Sequence, residues 1–157
     1  FLNTSYGFRP GRSCHDALRQ LNQEMMGAPV DWILDMDLAK FFDTIPHQAL
    51  LEVLALRIAD QTFLRLIARM LKAGVQTLGG VVYDELGSPQ GSIVSPVLAN
   101  AFLDTVLDQW FVTAVRQHCR GYCVLLRYAD DALALFERED DAQRFLRVLP
   151  LRLAQCG

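Results

Sequence analysis

Two aspartates, Asp130 and Asp131, separate two apolar segments in the last third of the chain. These mainly apolar segments predict the two strands of a β-hairpin, over 122–128 and 132–136, with a tight turn over 129–131. Aspartate is disfavoured inside strands and common in turns, so an ordinary polar turn explains this pair taken alone. Chemistry at this position requires further acidic residues nearby.

A third aspartate, Asp37, ends another apolar segment. Four residues of that segment predict a short buried strand: Trp32, Ile33, Leu34 and Met36. An acidic side chain at the end of a buried strand is costly unless it faces water or binds a cation. If the two strand ends meet, Asp37 and Asp130 form an oxygen-rich site that suits Mg²⁺. Carboxylates that hold two metal ions about 4 Å apart are typical of in-line phosphoryl and nucleotidyl transfer.

The elements that must position these residues alternate helices with short strands. Apolar spacing and capping residues predict five helices: after Ser13, after Pro46, over 61–72, over 92–118 and from about 139 onward. Gly79-Gly80 predicts a further hairpin within 75–84. This order predicts an α+β fold, with helices packed on one face of an antiparallel sheet.

The composition is that of one folded domain. The chain has 157 residues, of which 52% are hydrophobic and 21% charged, so it can bury a core. The net charge of −3 argues mildly against nucleic-acid binding, although a metal site concentrates acidic residues and other segments can supply a basic surface. No apolar run approaches the roughly 20 residues of a membrane span, and no signal segment stands at the start. We therefore expect a cytoplasmic protein without membrane contact.

The four cysteines raise the alternative of a zinc site. Cys119 and Cys123 form the one close pair, with His118 beside them. Structural zinc needs four ligands, usually as two spaced pairs, and Cys14 with His15 is distant in sequence. Reduced thiols in a cytosolic protein explain the pattern more simply.

Four sequence motifs occur in a definite order along the chain: Gly7–Ser13, Asp37–Asp43, Gly87–Ser92 with Ser95–Asn100, and Tyr128–Asp131. In that order they resemble successive motifs of reverse transcriptases, most closely those of the bacterial group II intron-encoded (retron-type) branch. The resemblance covers nearly the whole chain. It implies one reverse transcriptase domain, in which residues 1–29 are the end of the fingers and residues 30–157 are the palm. The family's triphosphate-binding fingers hairpin and its thumb are expected outside these residues, so the isolated chain is not expected to polymerise alone.

The resemblance implies roles for residues at matching positions. Asp37 and Asp130 are similar to the family's two metal-ligating carboxylates, and Asp131 to its third carboxylate. The backbone carbonyl of Leu38 is similar to a further metal ligand. Phe42 resembles the steric gate that packs where a ribose 2′-OH would lie, because an aromatic ring excludes that hydroxyl by its volume.

Further residues would contact substrates. Gln90 and Gly91 resemble the pair that packs on the incoming nucleotide and its template partner. Tyr128 resembles the residue that supports the primer terminus. Arg9 and Arg12 suit phosphate oxygens of the template or nucleotide, and the alternative for both is an arginine that is solvated or paired locally.

The implied activity is RNA-directed DNA polymerisation, in which nucleotides pass from dNTPs to a primer 3′-OH with two Mg²⁺ ions, or Mn²⁺ in their place. The implied partners are an RNA template, a DNA or RNA primer, and a cognate intron or other structured RNA. Three alternatives stay open: an RNA-dependent RNA polymerase, against which the volume of Phe42 argues, an RNA-binding maturase without polymerase chemistry, and an inactive remnant of an intron-encoded protein.

Overall fold

The computed structural model describes residues 1–38, 45–72, 75–77, 80–82 and 94–156. These residues form two compact units, one containing residues up to 38 and from 103 to 156, the other the described residues between 45 and 102. The elements, in chain order, are α1 (Cys14–Gly27), β1 (Trp32–Asp37), α2 (His47–Ala55), α3 (Gln61–Lys72), β2 (Val75–Thr77), β3 (Gly80–Val82), α4 (Ser95–Leu103), π1 (Asp104–Gln109), π2 (Phe111–Val115), α5 (Arg116–His118), β4 (Cys123–Tyr128), β5 (Asp131–Phe136) and α6 (Glu139–Ala154).

The first unit is built around an antiparallel sheet with the strand order β1-β5-β4. In the register of β1 on β5, Trp32 lies opposite Phe136 and Asp37 lies opposite Asp131. Because β5 is the central strand, the end of β1 and the β4–β5 turn lie at the same end of the sheet. The predicted α+β class with an antiparallel sheet is confirmed.

One face of the sheet packs against the helices that follow α4 in the first unit. Phe136 of β5 meets Phe111 of π2 and Phe145 of α6, with ring centroids 6.2 and 5.6 Å away. All three rings are fully buried, so this cluster is the apolar core behind the sheet. The opposite face is covered in part by α1. Leu21 of this helix packs against a smaller buried cluster formed by Tyr6, Leu126 and Leu135.

The helix expected over 92–118 is helical from Ser95 to His118, but it is not one regular α-helix. It widens into π-helix over Asp104–Gln109 and Phe111–Val115. A π-turn holds more residues than an α-turn and therefore rotates the side chains that follow. Asp108, which lies in π1, is buried and meets Arg127 of β4.

Two expectations about the strands were wrong. β1 is not buried, since Trp32 and Ile33 are 43% and 44% exposed and no residue of the strand is in the buried class. The physical reason is that β1 is an edge strand of the sheet within the described residues. Asp131 is not a turn residue, because the turn contains only Ala129 and Asp130 and β5 begins at Asp131.

The predicted helix boundaries agree well elsewhere. α1 begins after Ser13, whose side chain accepts a hydrogen bond from the N–H of Asp16 while the Asp16 carboxylate accepts one from the Ser13 N–H, and this reciprocal capping box stabilises the first turn. In the second unit α3 has the predicted bounds 61–72, and β2 pairs with β3 as the expected hairpin. No helix in the described part of the chain is long and apolar enough to cross a membrane.

Candidate active site

A row of three residues crosses the end of the sheet, one on each strand. Tyr128 of β4 lies opposite Asp131 of β5, which lies opposite Asp37 of β1. Residues directly opposite each other on antiparallel strands point to the same face, with Cβ atoms about 4.5–5.5 Å apart. Tyr128, Asp131 and Asp37 are all exposed, so a substrate or ion can reach the row from solvent.

The turn beside this row has an uncommon backbone conformation. Ala129 has a φ of 59°, which lies in the left-handed region that a residue with a Cβ rarely adopts. Of the two turn residues only Ala129 has a positive φ, the sign pattern of a type II′ hairpin turn. The turn places Asp130 directly before Asp131, next to the three-strand row.

The carboxylates act on one another electrostatically. The pKa of Asp131 is raised from its ordinary value, mainly because the group loses hydration, and further because Asp130, Asp37 and Asp35 are negatively charged. Asp35 joins the group because it lies two residues before Asp37 on the same face of β1. Four acidic residues therefore form a patch of negative potential at this end of the sheet, which attracts cations.

The donor set fits magnesium better than zinc. Mg²⁺ prefers carboxylate and carbonyl oxygens, and it is usually bound by one or two carboxylates plus substrate phosphates instead of a closed protein cage. Within the described ranges no three His, Cys, Asp or Glu side chains are placed so that they could hold a metal ion together. An ion at the row of Asp37 and Asp131 would therefore need further oxygen ligands from a substrate, and metal binding by these aspartates stays a prediction.

The N-terminal segment supports the turn from the other edge of β4. Ser5 forms a parallel bridge with Arg127, and the N–H of Tyr6 donates to the Arg127 carbonyl at 2.8 Å. Gly7 follows at once, and a Cβ there would lie 2.3 Å from the backbone nitrogen of Ala129. Glycine is therefore required at position 7 because the backbone of the turn occupies the space of a side chain.

Arg127 connects these parts, and the sequence alone did not reveal it as a site residue. Its guanidinium donates to both carboxylate oxygens of Asp108, to the Ala129 carbonyl and to the Ser5 hydroxyl. The signal that could have revealed it is its place in β4, where strand alternation puts residue 127 on the same buried face as 125. An arginine on that face requires a buried acidic partner.

Arg9 and Arg12 organise the N-terminal segment itself. Arg9 donates to the carbonyls of Leu2 and Ser5, at 2.6 Å each. Arg12 donates to the backbone and side-chain oxygens of Asn3, at 3.2 Å each. These contacts agree with the alternative of local pairing, and contact of either arginine with phosphate stays a prediction.

The remaining predicted site residues divide into two groups. Leu38 follows β1 directly and is half-buried, and a role of its carbonyl as a metal ligand stays a prediction. Phe42, Gln90 and Gly91 lie outside the described residues.

A groove of about 340 Å³ lies between α1 and the sheet and includes two residues of the acidic row, Tyr128 and Asp131. Its lining residues are Cys14, Ala17, Leu18, Leu21, Asp35, Leu126, Arg127, Tyr128, Asp131, Ala132 and Leu133.

The cysteines are all free thiols. Burial, together with the hydrogen bond that the Cys119 thiol donates to Cys123, raises the pKa of Cys119 to about 12, and burial also raises the pKa of Cys123. Cys123 is buried at the start of β4, and Cys119 is half-buried in the segment before it. Within the described part of the chain they belong to no group of three or more potential metal ligands.

An antiparallel sheet backed by helices, with aspartates on two adjacent strands at one end, is consistent with a polymerase palm. The chain belongs to the reverse transcriptase (RNA-dependent DNA polymerase) family, whose family model matches residues 1–157. An uncharacterised 91 kDa protein in the cob intron of Schizosaccharomyces pombe is 48% identical over 66% of this chain and 12% of its own length. The group II intron-encoded protein LtrA of Lactococcus lactis is 41% identical over 66% of this chain and 17% of its own length.

A shorter relative agrees with the family, and a solved structure agrees with the fold. Protein YkfC of Escherichia coli is 33% identical over 83% of this chain and 42% of its own length. This chain thus spans less than half the length of the curated relatives it matches. The fold is similar to that of a telomerase from Candida albicans, solved with a fragment of telomeric RNA, with a TM-score of 0.71, 12% identity, and coverage of 94% of this chain and 28% of the telomerase.

Proposed function

We propose that the protein containing this chain is an RNA-directed DNA polymerase that transfers nucleotides from dNTPs to a primer 3′-OH. The observation that carries the proposal is the three-strand row of Tyr128, Asp131 and Asp37 with Asp130 in the adjoining turn. Residues 1–29 would be the end of the fingers and residues 30–157 the palm. The family membership supports the reaction class.

The acidic side chains would hold two Mg²⁺ ions, through Asp37, Asp130, Asp131 and the Leu38 carbonyl. When bound, such ions lower the pKa of an attacking hydroxyl and stabilise the charge on a triphosphate. Tyr128 lies in the same row as the carboxylates, which suits it to support the primer terminus. Phe42 would exclude a ribose 2′-OH, and Gln90 with Gly91 would pack on the incoming nucleotide.

The partners proposed are an RNA template, a DNA or RNA primer, and an intron RNA or other structured RNA. The proposal of an intron RNA is supported by relatives whose names describe them as intron proteins. The site would work in the complete natural protein, since this chain spans a minor part of its relatives.

Primer extension on an RNA template tests the proposal in the complete protein. Asp130→Asn keeps the shape of the side chain and removes its charge, so we expect activity to fall by more than about 100-fold, as losing several kcal/mol of transition-state stabilisation requires. Asp31→Asn is the matched control, because it makes the same change at an exposed position just before β1, at the opposite end of the sheet. Full activity of Asp130→Asn would refute the proposal.

Nucleotide choice tests the specificity. The wild-type protein should prefer dNTPs, and Phe42→Ala should raise its use of rNTPs because the side-chain volume at the sugar falls. A wild-type preference for rNTPs would favour an RNA-dependent RNA polymerase instead. Specific RNA binding without extension under any condition would favour a maturase without polymerase chemistry.

A further inference from the structure

We propose that Arg127 and Asp108 are a positioning pair that sets the conformation of the Ala129-Asp130 turn and thereby the placement of the Asp130 carboxylate. The inference rests on the proposed function, because positioning is measured through the reaction. It assigns a role to two residues that do not themselves touch the substrate.

The first observation is the number of structural elements to which the Arg127 guanidinium donates hydrogen bonds. Arg127 Nε and Nη2 donate to the two carboxylate oxygens of Asp108 at 2.8 and 2.6 Å. Nη1 donates to the Ala129 carbonyl at 2.8 Å, and Nη2 also donates to the Ser5 hydroxyl at 3.0 Å. The N-terminal segment, the strand β4, the turn and the helix π1 are therefore joined at a single side chain.

The second observation is burial. Arg127 is 1% exposed and Asp108 is 2% exposed, so both charged groups are shielded from solvent. A buried ion pair is often no more stabilising than apolar residues of similar volume, because desolvation offsets the attraction. The raised pKa of Asp108, caused mainly by burial in spite of the adjacent Arg127, reflects that desolvation. Stability alone thus explains the pair poorly, whereas a geometric role explains it well.

The third observation is the strain in the part that Arg127 holds. Ala129 has a φ of 59°, and such a conformation persists only where surrounding contacts determine it. Arg127 holds the Ala129 carbonyl, and the orientation of that carbonyl sets the plane of the peptide that enters Asp130. Gly7 of the N-terminal segment packs closely against the backbone of Ala129.

The last observation is the position of Asp108 in the fold. It lies in π1 (Asp104–Gln109), and short π-helical segments occur often at functional sites. Its bidentate contact fixes the plane of the guanidinium, because two parallel hydrogen bonds define an orientation that a point charge cannot. Asp108 therefore acts through Arg127, and Arg127 acts through the backbone of the turn.

The decisive variant removes the whole pair. In the complete protein, Arg127→Met alone leaves Asp108 buried without its cation and should lower the unfolding temperature. Combining Arg127→Met with Asp108→Leu should restore much of that temperature, because no lone charge stays buried. If the pair positions the turn, the double variant still shows a kcat about 10- to 100-fold below wild type and a higher half-saturating Mg²⁺ concentration, the effect expected when the support of a metal site is removed.

Two further variants keep the test decisive. Arg127→Lys retains the positive charge but cannot hold Asp108 and the Ala129 carbonyl together in one plane, so its kcat should fall even though it folds. Asp141→Asn is the matched control, since Asp141 is 1% exposed and accepts from the N–H groups of Arg120 and Gly121 at the opposite end of the hairpin. It should lower the unfolding temperature without changing the half-saturating Mg²⁺ concentration of the folded protein.

The outcomes separate this inference from the proposed function. If the double variant and Arg127→Lys both show wild-type kcat and wild-type Mg²⁺ dependence, the pair is only structural and the inference is wrong. That result leaves the proposed function intact as long as Asp130→Asn is inactive. An active Asp130→Asn variant would instead overturn the proposed function itself.

Discussion

Gly7→Ala gives a direct test of how closely the N-terminal segment packs against the Ala129-Asp130 turn. The added Cβ would lie 2.3 Å from the nitrogen, 3.0 Å from the Cα and 3.1 Å from the Cβ of Ala129. Reaching even the closest tolerated separation of 3.0 Å requires a shift of about 0.7 Å. The obstructing atoms include the backbone of the turn, so no flexible side chain can absorb this shift.

The displacement should be seen in both stability and activity. Overpacking of a well-filled site costs about 1–3 kcal/mol of the free energy of unfolding. A misplacement near 1 Å can lower the rate by about 100-fold, so we expect kcat to fall by about 10- to 100-fold. Denaturant unfolding measures the first effect, and primer extension at a temperature where the variant is folded measures the second.

Two other glycines provide controls. Gly27→Ala adds a Cβ at the end of α1 where nothing lies within 4 Å, so stability should stay the same or rise by up to about 1 kcal/mol. Gly11→Ala also meets nothing within 4 Å but has a φ of 69°, so it should lose about 1–2 kcal/mol by strain alone. Wild-type kcat and stability in Gly7→Ala would refute the contact between the segment and the turn.

Three more predictions concern other parts of the fold. Ser13→Ala removes the cap of α1 and should lower the free energy of unfolding by about 1 kcal/mol, measured by urea denaturation. Iodoacetamide at pH 8 should modify exposed Cys14 quickly and Cys119 slowly, because the pKa of Cys119 is about 12; equal rates by mass spectrometry would contradict this. Burial and a hydrogen bond to a carboxylate on α1 raise the pKa of Tyr122 from 10 to about 12, so its contribution to stability is complete below pH 10 and is lost as the pH rises towards 12. Tyr122→Phe should reduce this alkaline loss in thermal unfolding.

The sequence by itself determined the elements that depend on local chemistry. The capping box at Ser13 and Asp16, the helix over 61–72 and the hairpin around the aspartate turn all follow from propensities of adjacent residues. The α+β class followed from the order of these elements. The motifs also sufficed to identify the family, because each motif keeps its residue types within a few positions.

Only the tertiary structure decided how distant residues meet. Strand propensity indicated that Asp37 ends a strand, but the pairing register decided that it lies opposite Asp131 instead of the turn residue Asp130. Likewise, the exposure of β1 follows from its place at the sheet edge, which no local pattern encodes. The contacts of Gly7 with Ala129 and of Arg127 with Asp108 join residues far apart in sequence. Such contacts depend on which strands and helices become neighbours, so they are properties of the packed fold.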